Sequence, residues 1–207
     1  MFDKKYLKLY AITDRGCLRG RDIAEQVELA IHGGVTCVQL REKDITEREL
    51  LAEARLLLSV CRPYGIPLII NDNWQVALRS GADGVHVGIE DAPVSDIRSS
   101  AGERFIIGAT AKTIHQAQFA EASGADYLGV GAVFPSPTKQ NALRITPDML
   151  SDICASVRIP VCAIGGISKD NVSTIKGCGQ AGIAVVSAVF GEDDVKAAAA
   201  ELIKLLE

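Results

Sequence analysis

Alternation of short β-branched runs with amphipathic helical stretches predicts a single (β/α)8 barrel, a closed parallel sheet of eight strands with helices outside. Three observations carry that reading. First, one supersecondary unit recurs, a helical stretch, a glycine and an apolar run. It is seen as H-G-G-V-T-C-V-Q-L from His32, S-G-A-D-G-V-H-V-G from Ser80, S-G-A-D-Y-L-G-V-G from Ser123 and Q-A-G-I-A-V-V-S from Gln180. The glycine suits a helix C-terminus in the left-handed region. The run behind it is apolar on both faces, as a buried parallel strand is. Second, eight strand–helix units fit within the 207 residues, which is compact for this architecture. Third, the first strand runs into Thr13-Asp14-Arg15-Gly16-Cys17, not into the glycine-rich turn that an open, doubly wound dinucleotide-binding sheet would favour.

Taken in order, the strands are expected near 7–13, 35–41, 67–71, 83–87, 105–109, 126–131, 160–164 and 183–187. Helices fall between them, near 20–32, 46–62, 73–80, 94–100, 113–123, 147–156, 169–177 and 191–206. The last, D-D-V-K-A-A-A-A-E-L-I-K-L-L-E, is built from strong helix formers.

Composition narrows the function classes. The chain is 48% hydrophobic with a formal net charge of −4, ordinary values for one globular domain spanning 1–207. No apolar run approaches the roughly 20 residues that span a bilayer. The opening M-F-D-K-K-Y-L-K-L-Y-A-I-T-D lacks the apolar core and cleavage site of a secretory signal. Six cysteines without a C-x-x-C pair read as reduced thiols, most simply as small buried side chains, in a cytoplasmic protein. With no basic stripe, nucleic acid and membrane are not expected partners; small anionic molecules are. Oligomeric state is not legible.

In a barrel the chemistry belongs at the carboxyl ends of the strands, and the unusual polar residues of this chain fall there. The second strand ends V-Q-L-R-E-K-D. Gln39, Arg41 and Lys43 share a parity and hence a face; an Arg fork and a Lys point charge suit a phosphate. Equally, Arg41 and Lys43 read as loop charges paired with Glu42 or Asp44. The third strand ends I-I-N-D-N and the fourth reaches Asp91 through V-H-V-G-I-E-D. Asp72 and Asp91 therefore sit at adjacent mouths, either as carboxylates for Mg²⁺ or as caps at loop–helix junctions. Asn71 is placed to orient a heterocycle or a diphosphate oxygen. His86, mid-strand among apolar residues, reads as a satisfied core histidine. Thr110 brings a hydroxyl from the fifth strand, or simply β-propensity. The sixth strand leads into F-P-S-P-T-K-Q-N-A, where Ser136, Thr138 and Lys139 make either a diphosphate clamp or a surface turn. Backbone amides near Gly165, Gly166 and Ser187, after strands seven and eight, lie where barrels commonly hold a phosphate. Jointly these residues describe one mouth with two anion sites.

The set Q-L-R-E-K, I-I-N-D, G-V-H-V-G-I-E-D, P-S-P-T-K and A-I-G-G-I resembles the thiamine-phosphate synthase family, in order, from Tyr10-Ala11-Ile12-Thr13-Asp14 to Val186-Ser187. The resemblance implies transfer of an aminopyrimidinylmethyl group from its diphosphate to a thiazole phosphate, giving thiamine phosphate and pyrophosphate. It implies that Gln39, Arg41, Lys43, Asn71 and Thr110 hold the pyrimidine diphosphate and that Asp72 and Asp91 bind Mg²⁺. Ser136 and Thr138 then hold the thiazole phosphate side, Lys139 the pyrophosphate, and Gly166, Val186 and Ser187 the thiazole phosphate. Lys139, Arg41 and Thr110 are the residues expected to act in catalysis. Thr110 stands where the family usually has serine, and Ser136 where it more often has threonine. The stretch Q-N-A-L-R-I-T after Lys139 lacks an acidic residue and glycines often found there.

Three other functions compete. A thiazole tautomerase of the same fold resembles this chain too, but it looks for a histidine where Ala132 stands and lacks counterparts of Gln39 and Asp91. A phosphate-binding isomerase or lyase would use Asp72 and Asp91 as an acid–base pair. A barrel that only binds and regulates would not turn over.

Overall fold

The structure, a computed structural model, describes residues 2–135 and 144–207. Its sheet closes as a barrel with neighbours in strict sequence order, and each adjacent pair is parallel. The strands are β1 (Leu9–Ile12), β2 (Cys37–Leu40), β3 (Leu68–Asn71), β4 (Gly84–Val87), β5 (Ile106–Ala111), β6 (Tyr127–Gly131), β7 (Val161–Ile164) and β8 (Gly182–Val185). Around them run α1 (Arg15–Leu18), α2 (Ile23–His32), α3 (Glu47–Cys61), α4 (Trp74–Ser80), α5 (Val94–Ala101), α6 (Ile114–Ala122), α7 (Pro147–Ser156), α8 (Ser187–Phe190) and α9 (Val195–Leu205).

Local chemistry starts these helices where the sequence asks. Side-chain oxygens of Asp22, Asn73, Thr113, Thr146 and Asp194 each accept the backbone N–H three residues on, satisfying donors that a helix leaves unpaired. At α3 a reciprocal box forms: Thr46 caps Glu49, and Glu49 returns to the Thr46 N–H at 2.8 Å.

One expected element is corrected. The helix anticipated over 169–177 is a single 3-10 turn, Val172–Ile175. S-T-I is poor in helix formers, and Gly177 and Gly179, both at positive φ, stop propagation at once. Conversely α1 and α8, four residues each, were not foreseen; they lie just beyond β1 and β8.

The strands sort their side chains into two shells, as a period of two requires. Outward residues such as Leu40, Ile70, Val85, Ile107 and Val130 pack under the helices. Inward residues form a second cluster, with Tyr10, Ile12, Cys37, Ile69, Tyr127, Cys162 and Ala184. The six cysteines are all free thiols, and burial pushes that of Cys61 up to about 12. No helix among the described residues is long and apolar enough to cross a membrane.

Two inward glycines decide who fills the lumen. A Cβ on Gly108 would lie 2.2 Å from Cζ of Tyr127, and one on Gly129 would lie 2.9 Å from Cε1 of His86. Tyr127 is paired in register with Gly108, and Gly129 lies opposite Thr110. Each ring therefore occupies volume that another strand gives up, β5 for Tyr127 and β6, across the lumen, for His86. Gly108→Ala should destabilise the fold by about 1–3 kcal/mol through overpacking. Combined with Tyr127→Ala the two costs should fall short of their sum, because the clash goes with the ring; chemical denaturation of the single and double variants measures this.

Candidate active site

At the carboxyl end of the barrel the β2 loop supplies charge held by its neighbour. The Arg41 N–H donates to Thr13 Oγ1 at 3.0 Å, and its guanidinium donates to Asp14 Oδ2 at 3.3 Å. The Arg41 side chain is only 16% exposed. It is therefore not a solvated loop charge paired with Glu42 or Asp44; its partner is Asp14, whose other oxygen caps α1. Glu42 turns the other way. Its side chain is 1% exposed and accepts from Arg15 Nε at 2.6 Å, and Arg15 also reaches Glu53. Consecutive residues Arg41 and Glu42 thus have separate ion-pair partners, which pins the loop's orientation. Lys43 is exposed beside them.

The third and fourth strands bring two carboxylates together. Asp72 stands just past β3 at φ 60°, a left-handed conformation that Asp and Asn tolerate better than most residues. Its N–H donates to the His86 carbonyl at 2.8 Å, continuing the β3–β4 ladder one step. It does not cap α4, because Asn73 does. Burial, and then the neighbouring Asp91 carboxylate, push the Asp72 carboxyl up to about 6, while Asn71 and Arg41 oppose the shift. Asp91 accepts the Gly88 N–H at 2.7 Å, a bond back across its own loop, and α5 is preceded by Pro93. The capping alternative is therefore taken up elsewhere for Asp72 and met only locally for Asp91.

Below the mouth lies a chain of polar groups. Gln39, 2% exposed, donates from Nε2 to the Tyr10 hydroxyl at 2.6 Å. The Tyr10 and Tyr127 hydroxyls are 2.9 Å apart. His86 Nδ1 lies 3.2 Å from the Tyr127 hydroxyl, and its Nε2 lies 3.1 Å from Thr110 Oγ1. Burial pushes both phenols well above their ordinary range, so they stay protonated. His86 is the satisfied interior histidine the sequence suggested, with both ring nitrogens engaged.

On the far side, β7 and β8 lie in register through Ile164 and Ala184. Just beyond them come Gly165 and Gly166, at φ 99° and 65°, and Val186 and Ser187 at the start of α8. A Cβ on Gly166 would meet the Pro135 carbonyl at 2.2 Å, so the turn presses directly on the segment after β6. That segment continues into Ser136, Thr138 and Lys139, which lie outside the described residues.

Comparison with known proteins bears on this arrangement. The family model described as Thiamine monophosphate synthase matches residues 9–189. The chain belongs to that family. Thiamine-phosphate synthase of Clostridium tetani is 45% identical over 194 residues, 94% of this chain and 93% of that one. A thiamine biosynthetic bifunctional enzyme of Arabidopsis thaliana is 44% identical across all of this chain, which covers 41% of it. Among solved structures, thiamine phosphate pyrophosphorylase from Pyrococcus furiosus superposes with a TM-score of 0.90 at 42% identity, over 98% of this chain and 96% of that one. A 3-hexulose-6-phosphate synthase shares the fold alone, at 16% identity and a TM-score of 0.66. As a member of the thiamine monophosphate synthase family, the protein is a transferase of thiamine biosynthesis.

Residues of this family member that the sequence did not single out are Tyr10, Tyr127, Thr13, Asp14 and the Arg15–Glu42–Glu53 cluster. Tyr10 and Tyr127 read as apolar strand residues. Asp14 was visible only as part of T-D after the first strand.

The Asp72 shift has a sign that can be measured. Its native carboxyl holds a proton more tightly than the unfolded chain, with its ordinary value of 3.8, does. Its favourable contribution is therefore complete below about pH 4 and is lost as pH rises through about 6. Asp72→Asn, which suits the same left-handed backbone, should raise the Tm of metal-free protein at pH 8, and the gain should shrink toward pH 4.

Proposed function

We propose that this family member couples 4-amino-2-methyl-5-(diphosphooxymethyl)pyrimidine to 4-methyl-5-(2-phosphoethyl)thiazole, or its 2-carboxy form, releasing pyrophosphate. The observation that carries the reading is a half-buried cation held beside a crowded carboxylate pair. Arg41, anchored on Asp14, acts electrostatically on Asp72, which abuts Asp91. Two carboxylates pushed together at a barrel mouth repel, and a hard divalent cation relieves that repulsion with all-oxygen ligands. Among the described residues no group of three or more His, Cys, Asp or Glu is arranged for a metal. Two carboxylates from the protein leave the remaining positions to phosphate oxygens and water, which is how Mg²⁺ is usually held. When bound, Mg²⁺ would supply charge neutralisation on the departing diphosphate oxygens.

The chain's own residues do the rest. Arg41 and Lys43 draw in the diphosphate, and Asn71 and Gln39 orient the pyrimidine. As the bond to the leaving oxygen lengthens, positive charge spreads over the aminopyrimidinylmethyl group and negative charge gathers on the diphosphate. Arg41 and Lys139 oppose that negative charge. The thiazole nitrogen attacks with its own lone pair, so no general base is required. Ser136, Thr138, Gly166, Val186 and Ser187 hold the thiazole phosphate close enough for capture. Thr110 supports the pyrimidine from β5.

A second reading keeps Asp72 and Asp91 as an acid–base pair of an isomerase, favoured by the raised Asp72 carboxyl. The metal requirement separates the two. Pyrophosphate release by purified protein should need both substrates and Mg²⁺, and EDTA should abolish it. Metal-independent turnover of a single substrate would favour the isomerase. Asp91→Ala and Lys139→Ala should each lower turnover by about 100-fold or more, with Tm near that of the parent; turnover at the parent rate in either would undo the assignment.

A further inference from the structure

We infer that the buried chain Tyr10–Tyr127–His86 is a positioning device that sets the hydrogen-bond polarity of Gln39 and Thr110, and thereby selects an aminopyrimidine over its 4-oxo counterpart. This rests on the reading that Gln39 and Thr110 hold the pyrimidine.

The argument is a count of protons. Four contacts link five side chains from β2, β1, β6, β4 and β5: Gln39–Tyr10 at 2.6 Å, Tyr10–Tyr127 at 2.9 Å, Tyr127–His86 at 3.2 Å and His86–Thr110 at 3.1 Å. Gln39 donates at the first, so the Tyr10 oxygen accepts. If the Tyr10 proton passes to Tyr127, then Tyr127 donates to His86 Nδ1, and a neutral imidazole carries its proton on Nε2 and donates to Thr110. Every contact then has one proton. The reverse arrangement, in which Tyr127 donates to Tyr10, requires the Gln39 amide oxygen toward Tyr10; with Nε2 there instead, the Tyr10 proton has no acceptor among the described residues. An unpaired donor at a site 2% exposed costs about 1–3 kcal/mol, so the forward arrangement wins.

The ends of the chain are then unlike. Thr110 accepts from His86 and turns its own proton to the mouth. Gln39 spends one N–H inward, which fixes its Nε2 toward Tyr10 and leaves its amide oxygen to accept beside one remaining N–H. An aminopyrimidine offers an exocyclic N–H donor and a ring-nitrogen acceptor, which match. The 4-oxo ring offers a carbonyl and a ring N–H; to meet them Gln39 must present its remaining N–H in place of its oxygen and Thr110 must turn its own proton aside, so the fit is poorer. The chain is also built into the packing. Gly108 and Gly129 vacate the space its two central rings fill, and Phe2 stacks on Tyr127 with centroids 5.2 Å apart.

The test compares binding of 4-amino-5-hydroxymethyl-2-methylpyrimidine and its 4-oxo analogue by calorimetry, alongside KM for both substrates. The variants are Tyr127→Phe, Tyr10→Phe, His86→Leu and His86→Gln. The first three should lower the amino-to-oxo preference about tenfold or more, and should raise KM for the pyrimidine diphosphate while leaving KM for the thiazole phosphate within about twofold. His86→Gln, whose amide both accepts and donates, should retain most of the preference. A purely structural role would move both KM values together and leave the preference unchanged; that result in either tyrosine variant, with wild-type turnover intact, overturns the relay alone. Absence of wild-type turnover with both substrates and Mg²⁺ overturns the functional reading, and the relay with it.

Discussion

The lumen of an eight-stranded parallel barrel admits a fixed volume of side chain, and the phenol of Tyr127 is fitted into it at the expense of the neighbouring strand β5. Gly108, its partner in register on β5, has no Cβ because one would fall 2.2 Å from the ring. Gly129, two residues along Tyr127's own strand, clears the way for His86. With both rings admitted, the interior acquires hydroxyls and an imidazole where most barrels of this class carry branched aliphatics. Buried polar groups are seldom left unbonded, and here Gln39, Tyr10 and Thr110 are drawn into one connected set with the two rings. The packing constraint comes first and the polarity at the mouth follows from it.

Charge at the rim obeys a different logic. Arg41 is held by a carboxylate from the preceding strand's loop, and the adjacent Glu42 is held by Arg15 and shielded from water. Pairing of this kind adds little net stability, since desolvation offsets much of the attraction. Its value is directional. It keeps a guanidinium at the mouth without surrendering it to solvent, and within electrostatic reach of Asp72. On the opposite side the turn after β7 offers glycine backbone, with Gly166 pressed against the segment after β6.

The strand pattern was fully legible, because a parallel strand buried on both faces leaves an apolar run with little ambiguity once glycine marks its start. The seventh helix was not: the spacing between β7 and β8 leaves room for one, but 169–177 is rich in polar and β-branched residues, and Gly177 and Gly179 end it after a single turn. At the site, residues with formal charge were conspicuous in the sequence, so Arg41, Asp72 and Asp91 could be placed at the mouth. Their counterparts could not. Asp14 and Arg15 are separated from Arg41 and Glu42 by a whole helix, and only closure of β1 on β2 brings them together. Tyr10 and Tyr127 lie further apart still, and tyrosine on a strand looks apolar until its hydroxyl is seen to have a partner. Ser136, Thr138 and Lys139 lie outside the described residues, so their placement stays with the sequence.

Barrel closure also imposes an order in time. The free edge of β1 is met by β8, through Leu9 with Ile183, Tyr10 with Ala184 and Ala11 with Val185. A chain emerging from the ribosome can form the β1–β2 pair early and bring Gln39 to Tyr10. It cannot seat Tyr127 against Tyr10 until β6 has been made, nor cover the β1 edge until β8 has. For most of its synthesis the nascent protein therefore carries an unpaired strand edge of the kind that invites association with other chains. The donor and acceptor pattern at the mouth needs β6 in place before Tyr127 can meet Tyr10, which makes ligand recognition a late property of the newborn chain.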